Sequence, residues 1–210
     1  MLMVGSKFIG MPVLSLQLGG ATATVKRVII DPENLSIIAF ELSGSLVQSP
    51  EFGNYLLASN VRDADLNGLV IDSADVFVDA EDVVRLKEVL ALNFNLVGLR
   101  VVAKEEKHLK KIGKVVDFTV DQNTFSVFQL IAQRPLMSSF MDPQLTINRS
   151  QITEVDDYKI TIRHEKQKVK VPKKNEVEEE FVPNFTNPFR KPNYSPAENE
   201  TEDRASITSE

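Results

Sequence analysis

Val97-Gly98-Leu99-Arg100-Val101 and, further on, Lys114-Val115-Val116-Asp117-Phe118-Thr119-Val120-Asp121 restate two earlier stretches, Ile9-Gly10-Met11-Pro12-Val13 and Val25-Lys26-Arg27-Val28-Ile29-Ile30-Asp31. Gly98 stands 88 positions after Gly10, and Asp121 stands 90 after Asp31. A two-residue difference in the first connection accounts for the mismatch. Solenoid units repeat every 20–50 residues or so. A longer period means a duplicated domain, and it sets the architecture before any function is considered.

Within each copy the pattern is that of short strands. Val28 and Ile30 alternate with Arg27 and Ile29, as Phe118 and Val120 alternate with Asp117 and Thr119. Period two puts one side of each strand against a core. Asp31-Pro32-Glu33-Asn34 and Asp121-Gln122-Asn123-Thr124 follow as turns. Asp bonds its side chain to backbone donors there, and Pro presets the next angle. The chain returns as Ser36-Ile37-Ile38-Ala39-Phe40 and Ser126-Val127-Phe128-Gln129-Leu130, which predicts a β-hairpin in each copy. Leu56-Leu57-Ala58-Ser59-Asn60-Val61 pairs more weakly with Ile147-Asn148-Arg149-Ser150-Gln151-Ile152. Closing strands are expected at Leu69-Val70-Ile71 and Ile160-Thr161-Ile162. Repeated sets of short strands predict small closed barrels, because closure removes exposed sheet edges.

One helix is predicted between the copies. Asp79 is its expected N-cap, with Glu81 and Asp82 in the first turn. Val83, Leu86 and Leu90 give an apolar stripe, and Glu81 and Arg85 an i,i+4 pair on another face. The stripe is expected to pack on one or both barrels. Beyond His164 the character changes to a lysine run, an acidic run and scattered prolines. Such a stretch buries too little apolar surface to offset its ordering entropy and is expected to be disordered. Lys168-Val169-Lys170-Val171 alone has strand character.

Val97-Gly98-Leu99-Arg100-Val101, then Ile112-Gly113-Lys114-Val115-Val116-Asp117, then Val120-Asp121, resembles the PRC-barrel family. The resemblance covers about residues 94–165 and, less closely, 5–72. In the first copy Ala23-Thr24-Val25 replaces Gly113-Lys114-Val115, so the close approach a glycine permits is expected to be missing or moved to Gly19-Gly20. The resemblance implies small β-barrels that dock other macromolecules, in electron-transfer assemblies or in ribosome maturation. It carries over no catalytic residues. The family includes a ribosome maturation factor with an N-terminal RNA-handling domain, and a second barrel is expected here in that domain's place.

Composition narrows the chemistry. The 210 residues include no Cys, which removes disulfides, thiolate catalysis and Cys-based metal sites and fits a reducing compartment. Met1-Leu2-Met3-Val4-Gly5-Ser6-Lys7 lacks a basic segment followed by an apolar run, so no secretory signal is expected. No stretch approaches the roughly 18 apolar residues of a spanning helix. A net charge of −6 argues against general nucleic-acid binding. His108 and His164 are the only histidines and are far apart in sequence, too few for a transition-metal site. No Gly-x-Ser-x-Gly elbow and no phosphate-binding loop is present. Asp63-x-Asp65-x-Asn67-Gly68 opens like a calcium loop, but position 12 is Ala74. A solvated strand end fits better.

The expectation is an all-β chain of two tandem small β-barrels, residues 1–72 and 94–165, joined by one α-helix within 73–93 and trailed by a disordered segment, 166–210. It is expected to be a cytoplasmic, non-enzymatic adaptor with no catalytic, metal-binding or cofactor-binding residues. Its partner would be another protein or a macromolecular assembly, with nucleic acid reached only through the ribosome. A ribosome-assembly role and peripheral attachment to a membrane complex are the alternatives. Isolated aromatics in a polar tail often anchor to a partner groove, which singles out Phe181, Phe185 and Phe189. A basic hairpin tip is expected from Lys107, Lys110 and Lys111.

Overall fold

The structure, a computed structural model, describes residues 1–49, 51–104, 108–135 and 143–163. A short lead strand, β1 (Leu2–Val4), opens the chain. The first copy follows as β2 (Pro12–Ser15), β3 (Gly20–Asp31), β4 (Ser36–Ser43), β5 (Tyr55–Leu57), β6 (Asp63–Ala64), β7 (Leu69–Ile71) and β8 (Phe77–Val78). After α1 (Val84–Ala91) comes the second copy: β9 (Arg100–Lys104), β10 (Leu109–Asp121), β11 (Val127–Gln133), β12 (Gln144–Asn148), β13 (Ile152–Val155) and β14 (Lys159–Arg163).

The two sheets have one topology. The first runs β6-β7-β2-β3-β4-β5-β8 and the second β13-β14-β9-β10-β11-β12. Each has a single parallel pair at the same place, β2 with β7 and β9 with β14. The long strands break register at matching points, between Val25 and Arg27 and between Ile29 and Ile30 in β3, and between Val115 and Asp117 and between Thr119 and Val120 in β10. Bulges bend and twist a strand, so equal bulges give equal curvature. Gly10 and Gly98 both take positive φ, +81° and +98°, which glycine adopts without steric cost.

The closed barrels expected from the sequence are not formed; both sheets are open. β5 and β6 are nonetheless close along the chain, since only residues 58–62 separate them. The 3₁₀ turn Ala58–Asn60 makes that corner and spends its donor locally, Val61 N to Ala58 O at 3.2 Å. The remaining edge of β5 is taken by β8 instead of β6, so the ladder has no means of closing. In the second copy the 3₁₀ turn Arg149–Gln151 makes the corresponding corner.

The helix departs from expectation in three ways. Asp79 caps a 3₁₀ turn, Ala80–Asp82, through a capping box with Asp82. Val83 is extended, at φ −121° and ψ 104°, so the α-helix starts only at Val84. Leu86 and Val89 are its buried residues, flanked by Val83 and Leu90, and they pack on Ile29 and Ala39. Finally, Arg85 does not pair with Glu81, which lies in the preceding 3₁₀ turn and bonds Lys87. The Arg85 guanidinium grips the buried Asp31 carboxylate, with Nε to Oδ2 at 3.0 Å and Nη2 to Oδ1 and Oδ2 at 2.8 Å. That bond, reinforced by Glu88 and Glu33, raises the Arg85 pKa further above its ordinary value.

The expected relocation of the missing glycine to Gly19-Gly20 does not occur; those residues form the β2–β3 turn, with open space around both. In the second copy a methyl group on Gly113 would lie 2.2 Å from the Gln133 carbonyl oxygen. In the first copy the equivalent residue is Ala23, and it is the facing chain that changes, with Gly44 at φ +142° beside it.

Candidate functional site

The two copies meet about an approximate two-fold axis. Ile37 N donates to Phe125 O and Val127 N donates to Leu35 O, both at 2.8 Å, across an antiparallel bridge between Ser36 and Ser126. Each of these residues is the other's counterpart 90 positions away. This is an isologous contact, of the kind that joins symmetric dimers, formed here within one chain. Leu35 and Phe125 both take left-handed backbone, at φ 47° and 53°, and both are buried at the seam. Left-handed backbone is uncommon for residues other than glycine and unfavourable for bulky ones. Phe125 packs against Phe8 and Phe40, at ring-centroid distances of 6.4 and 5.6 Å, and Phe8 and Phe40 lie 5.5 Å apart. One apolar core runs through both sheets.

Two further contacts tie the copies together. β1 adds to the second sheet, pairing Leu2 with Asp121, Met3 with Val120 and Val4 with Thr119. Arg149 caps the seam, donating from Nη1 to the Leu35 and Val127 carbonyls at 3.2 and 3.3 Å and from Nη2 to the Asn34 carbonyl. Its counterpart in the first copy, Ala58, has no such reach.

A groove of about 250 Å³ straddles the axis, between the mid-parts of β3 and β10. Part of its lining comes in equivalent pairs: Ile9 with Val97, Val28 with Phe118, and Arg27 with Asp117. Ile9 and Val97 form the two lips and are 51% and 42% exposed. Each precedes the positive-φ glycine of its copy, which turns the chain and leaves the apolar side chain outward. Val116 adds a third exposed apolar residue at 37%.

The charged residues at the rim are not equivalent. On the β3 side, Lys26 Nζ and Arg27 Nε share one carboxylate, Glu41, at 2.7 and 2.8 Å. Burial alone would raise the Glu41 pKa, but the hydrogen bonds from Lys26 and Arg27 outweigh it and hold the pKa below its ordinary value. Two cations on one anion leave that wall positive, and the Arg27 side chain is half exposed. On the β10 side, Asp117 Oδ1 accepts from Ser6 N at 3.1 Å and Phe118 N at 2.8 Å. Arg27 and Asp117 thus put opposite charges at equivalent positions.

Lys110 and Lys111 are exposed residues of β10, paired opposite Ala103 and Val102 in the β9–β10 hairpin. Lys107, Phe181, Phe185 and Phe189 lie outside the described residues, as do His164 and the stretch Lys168–Val171. Asp65, the centre of the calcium-like opening, accepts from Asn67 N at 2.7 Å, Asn67 Nδ2 at 3.0 Å and Gly68 N at 3.1 Å. These bonds, from the Asn67 amide first, lower its pKa and tie it to the β6–β7 turn. Among the described residues no cluster of His, Asp or Glu is arranged to hold a metal ion. Among them, too, no helix is long and apolar enough to cross a membrane.

Ile9, Val97, Val116, Arg27 and Asp117 were not singled out by sequence reasoning as functional. A signal existed for the first two, because an apolar residue ahead of a turn glycine recurs in both copies. No family model matches this chain, and no curated protein is similar to it.

Proposed function

We propose that this chain is a non-enzymatic docking module that presents the groove on its internal axis to another protein. The groove carries this reading, since its lips are exposed apolar side chains on a frame that a shared core holds rigid. Exposed apolar residues rimmed by charges are the composition of a protein contact. The charged groups nearby are engaged in structural bonds: Asp31 with Arg85, Glu41 with Lys26 and Arg27, Asp117 with Ser6. Kinship with the PRC-barrel family is part of the proposal. It is supported by the Gly-Lys-Val and Val-Asp motifs and by a strand order that repeats in both copies. Cytoplasmic location follows as an expectation from the absence of Cys.

Affinity capture from native cells with mass spectrometry tests this. The full chain should recover a partner that is lost with Val97→Glu and retained by a chain ending at Lys166. Recovery of the same proteins by wild type and Val97→Glu would remove the groove from the account. Salt-sensitive recovery of small ribosomal subunits would favour the ribosomal alternative.

A further inference from the structure

The approximate two-fold axis has a consequence for how a partner can lie in the groove. The apolar lining is paired in part, Ile9 with Val97 and Val28 with Phe118, while Phe94, Leu96 and Val116 are supplied by the second copy alone. The paired apolar positions do not by themselves tell one direction of a bound segment from the other. Among the equivalent positions charge makes the sharpest difference, through Arg27 on one wall and Asp117 on the other. The volume of about 250 Å³ lies below the range of roughly 300–1,000 Å³ typical of whole small-molecule sites, and suits a single large side chain.

We infer that the groove takes an extended peptide segment of a partner protein, with one large apolar anchor flanked by an acidic residue on the Arg27 side and a basic residue on the Asp117 side. The inference rests on the docking reading above and adds the partner's chemistry and direction. Glu41 engages Nε of Arg27, and the terminal Nη groups make no hydrogen bond among the described residues. A planar guanidinium with both Nη groups available is suited to a carboxylate. Lys26 adds a second cation to the same wall. Asp117 Oδ1 is occupied by two backbone donors, while Oδ2 makes no hydrogen bond among the described residues and is left as an acceptor. Placing the segment the other way round would set like charges together at both ends, and such juxtaposition is how interfaces reject a wrong orientation.

Fluorescence anisotropy on the full chain tests this with three labelled peptides: Glu-Glu-Phe-Val-Lys-Lys, its uncharged form Gln-Gln-Phe-Val-Gln-Gln, and its all-acidic form Glu-Glu-Phe-Val-Glu-Glu. At low salt the mixed-charge peptide should bind about tenfold more tightly than either of the others, and the advantage should shrink as salt screens it. Arg27→Gln and Asp117→Asn should each reduce that advantage to about threefold or less. Val97→Glu should abolish binding of all three, and Tyr158→Ser, at an exposed residue outside the groove lining, should change nothing. Equal binding of the three peptides, or an advantage untouched by Arg27→Gln, overturns the charge assignment. If that happens while cellular capture still depends on Val97, the partner's chemistry was misread and the docking surface stands. If capture is indifferent to Val97, the docking reading itself has failed.

Discussion

The outer faces of the two sheets differ although the strands beneath them correspond one to one. In the first copy the cross-strand row is Ile29, Ala39 and Leu57. In the second the same row is Thr119, Gln129 and Asn148, with Gln129 Nε2 bonded to Asn148 Oδ1 at 2.7 Å. The helix explains the difference. α1 lies over the first row and buries it, and no helix among the described residues lies over the second. A sheet face reads apolar where something covers it and polar where water does. Duplication therefore preserved the inward faces and let the outward ones diverge with their surroundings. The exception is Phe128, which is 48% exposed where its counterpart Ile38 packs beside the helix.

Where the copies do share surroundings, at the seam, they should stand or fall together. Phe125→Ala removes the ring that touches both Phe8 and Phe40 and should cost about 3–5 kcal/mol. Thermal denaturation should still show one transition, lowered by about 6–20 °C. Two separated transitions would show that the copies unfold independently and that the common core does not couple them.

The outer faces supply the next test. Leu86→Ala, at a fully buried helix position, should cost about 2–4 kcal/mol in urea denaturation. Gln129→Ala, on the uncovered counterpart face, should stay within about 0.5 kcal/mol. Equal losses would mean that the second face is covered as well.

The bulged strands allow a finer contrast. Gly113→Ala forces a methyl into the Gln133 carbonyl and should cost about 1–3 kcal/mol. Ala23→Gly, at the equivalent site, should cost only about 1 kcal/mol. If Gly113→Ala proved neutral, the close strand approach would not be a constraint of the second copy.

The smallest effect concerns acid. Glu41 has a folded pKa below its ordinary value of 4.5. A carboxyl depressed on folding stabilises the protein above its unfolded pKa, and that contribution disappears as pH falls through the folded one. Glu41→Gln should lower stability slightly at pH 7 and flatten the loss below about pH 4.5, in denaturation midpoints followed against pH. An unchanged acid slope would mean that the Lys26 and Arg27 bonds add nothing.

Much of this was legible beforehand. The duplication, the Asp turns, the hairpins and the inward-facing alternation all follow from local spacing, because strand period and turn chemistry act over a few residues. Asp121 takes the bonds expected of it, from Asn123 N and Thr124 N, both at 3.0 Å. Sheet closure was misjudged because it depends on which distant strand takes a free edge, and in the first sheet β8 takes that of β5. The Arg85 partner was misjudged because Asp31, 54 positions away, comes within reach only after folding. The groove was invisible for the same reason, since its walls are residues about 90 positions apart.

By itself, then, the amino-acid order determined that a β unit was made twice, which residues of each face inward, and where each turns. It did so because those choices rest on neighbouring side chains and backbone angles. Only the tertiary structure decided that the units face each other across a two-fold axis, that α1 covers the outer row of the first, and that unlike charges flank a shared apolar cleft. Such outcomes depend on contacts between distant parts of the chain, and no local pattern encodes which of those contacts will form.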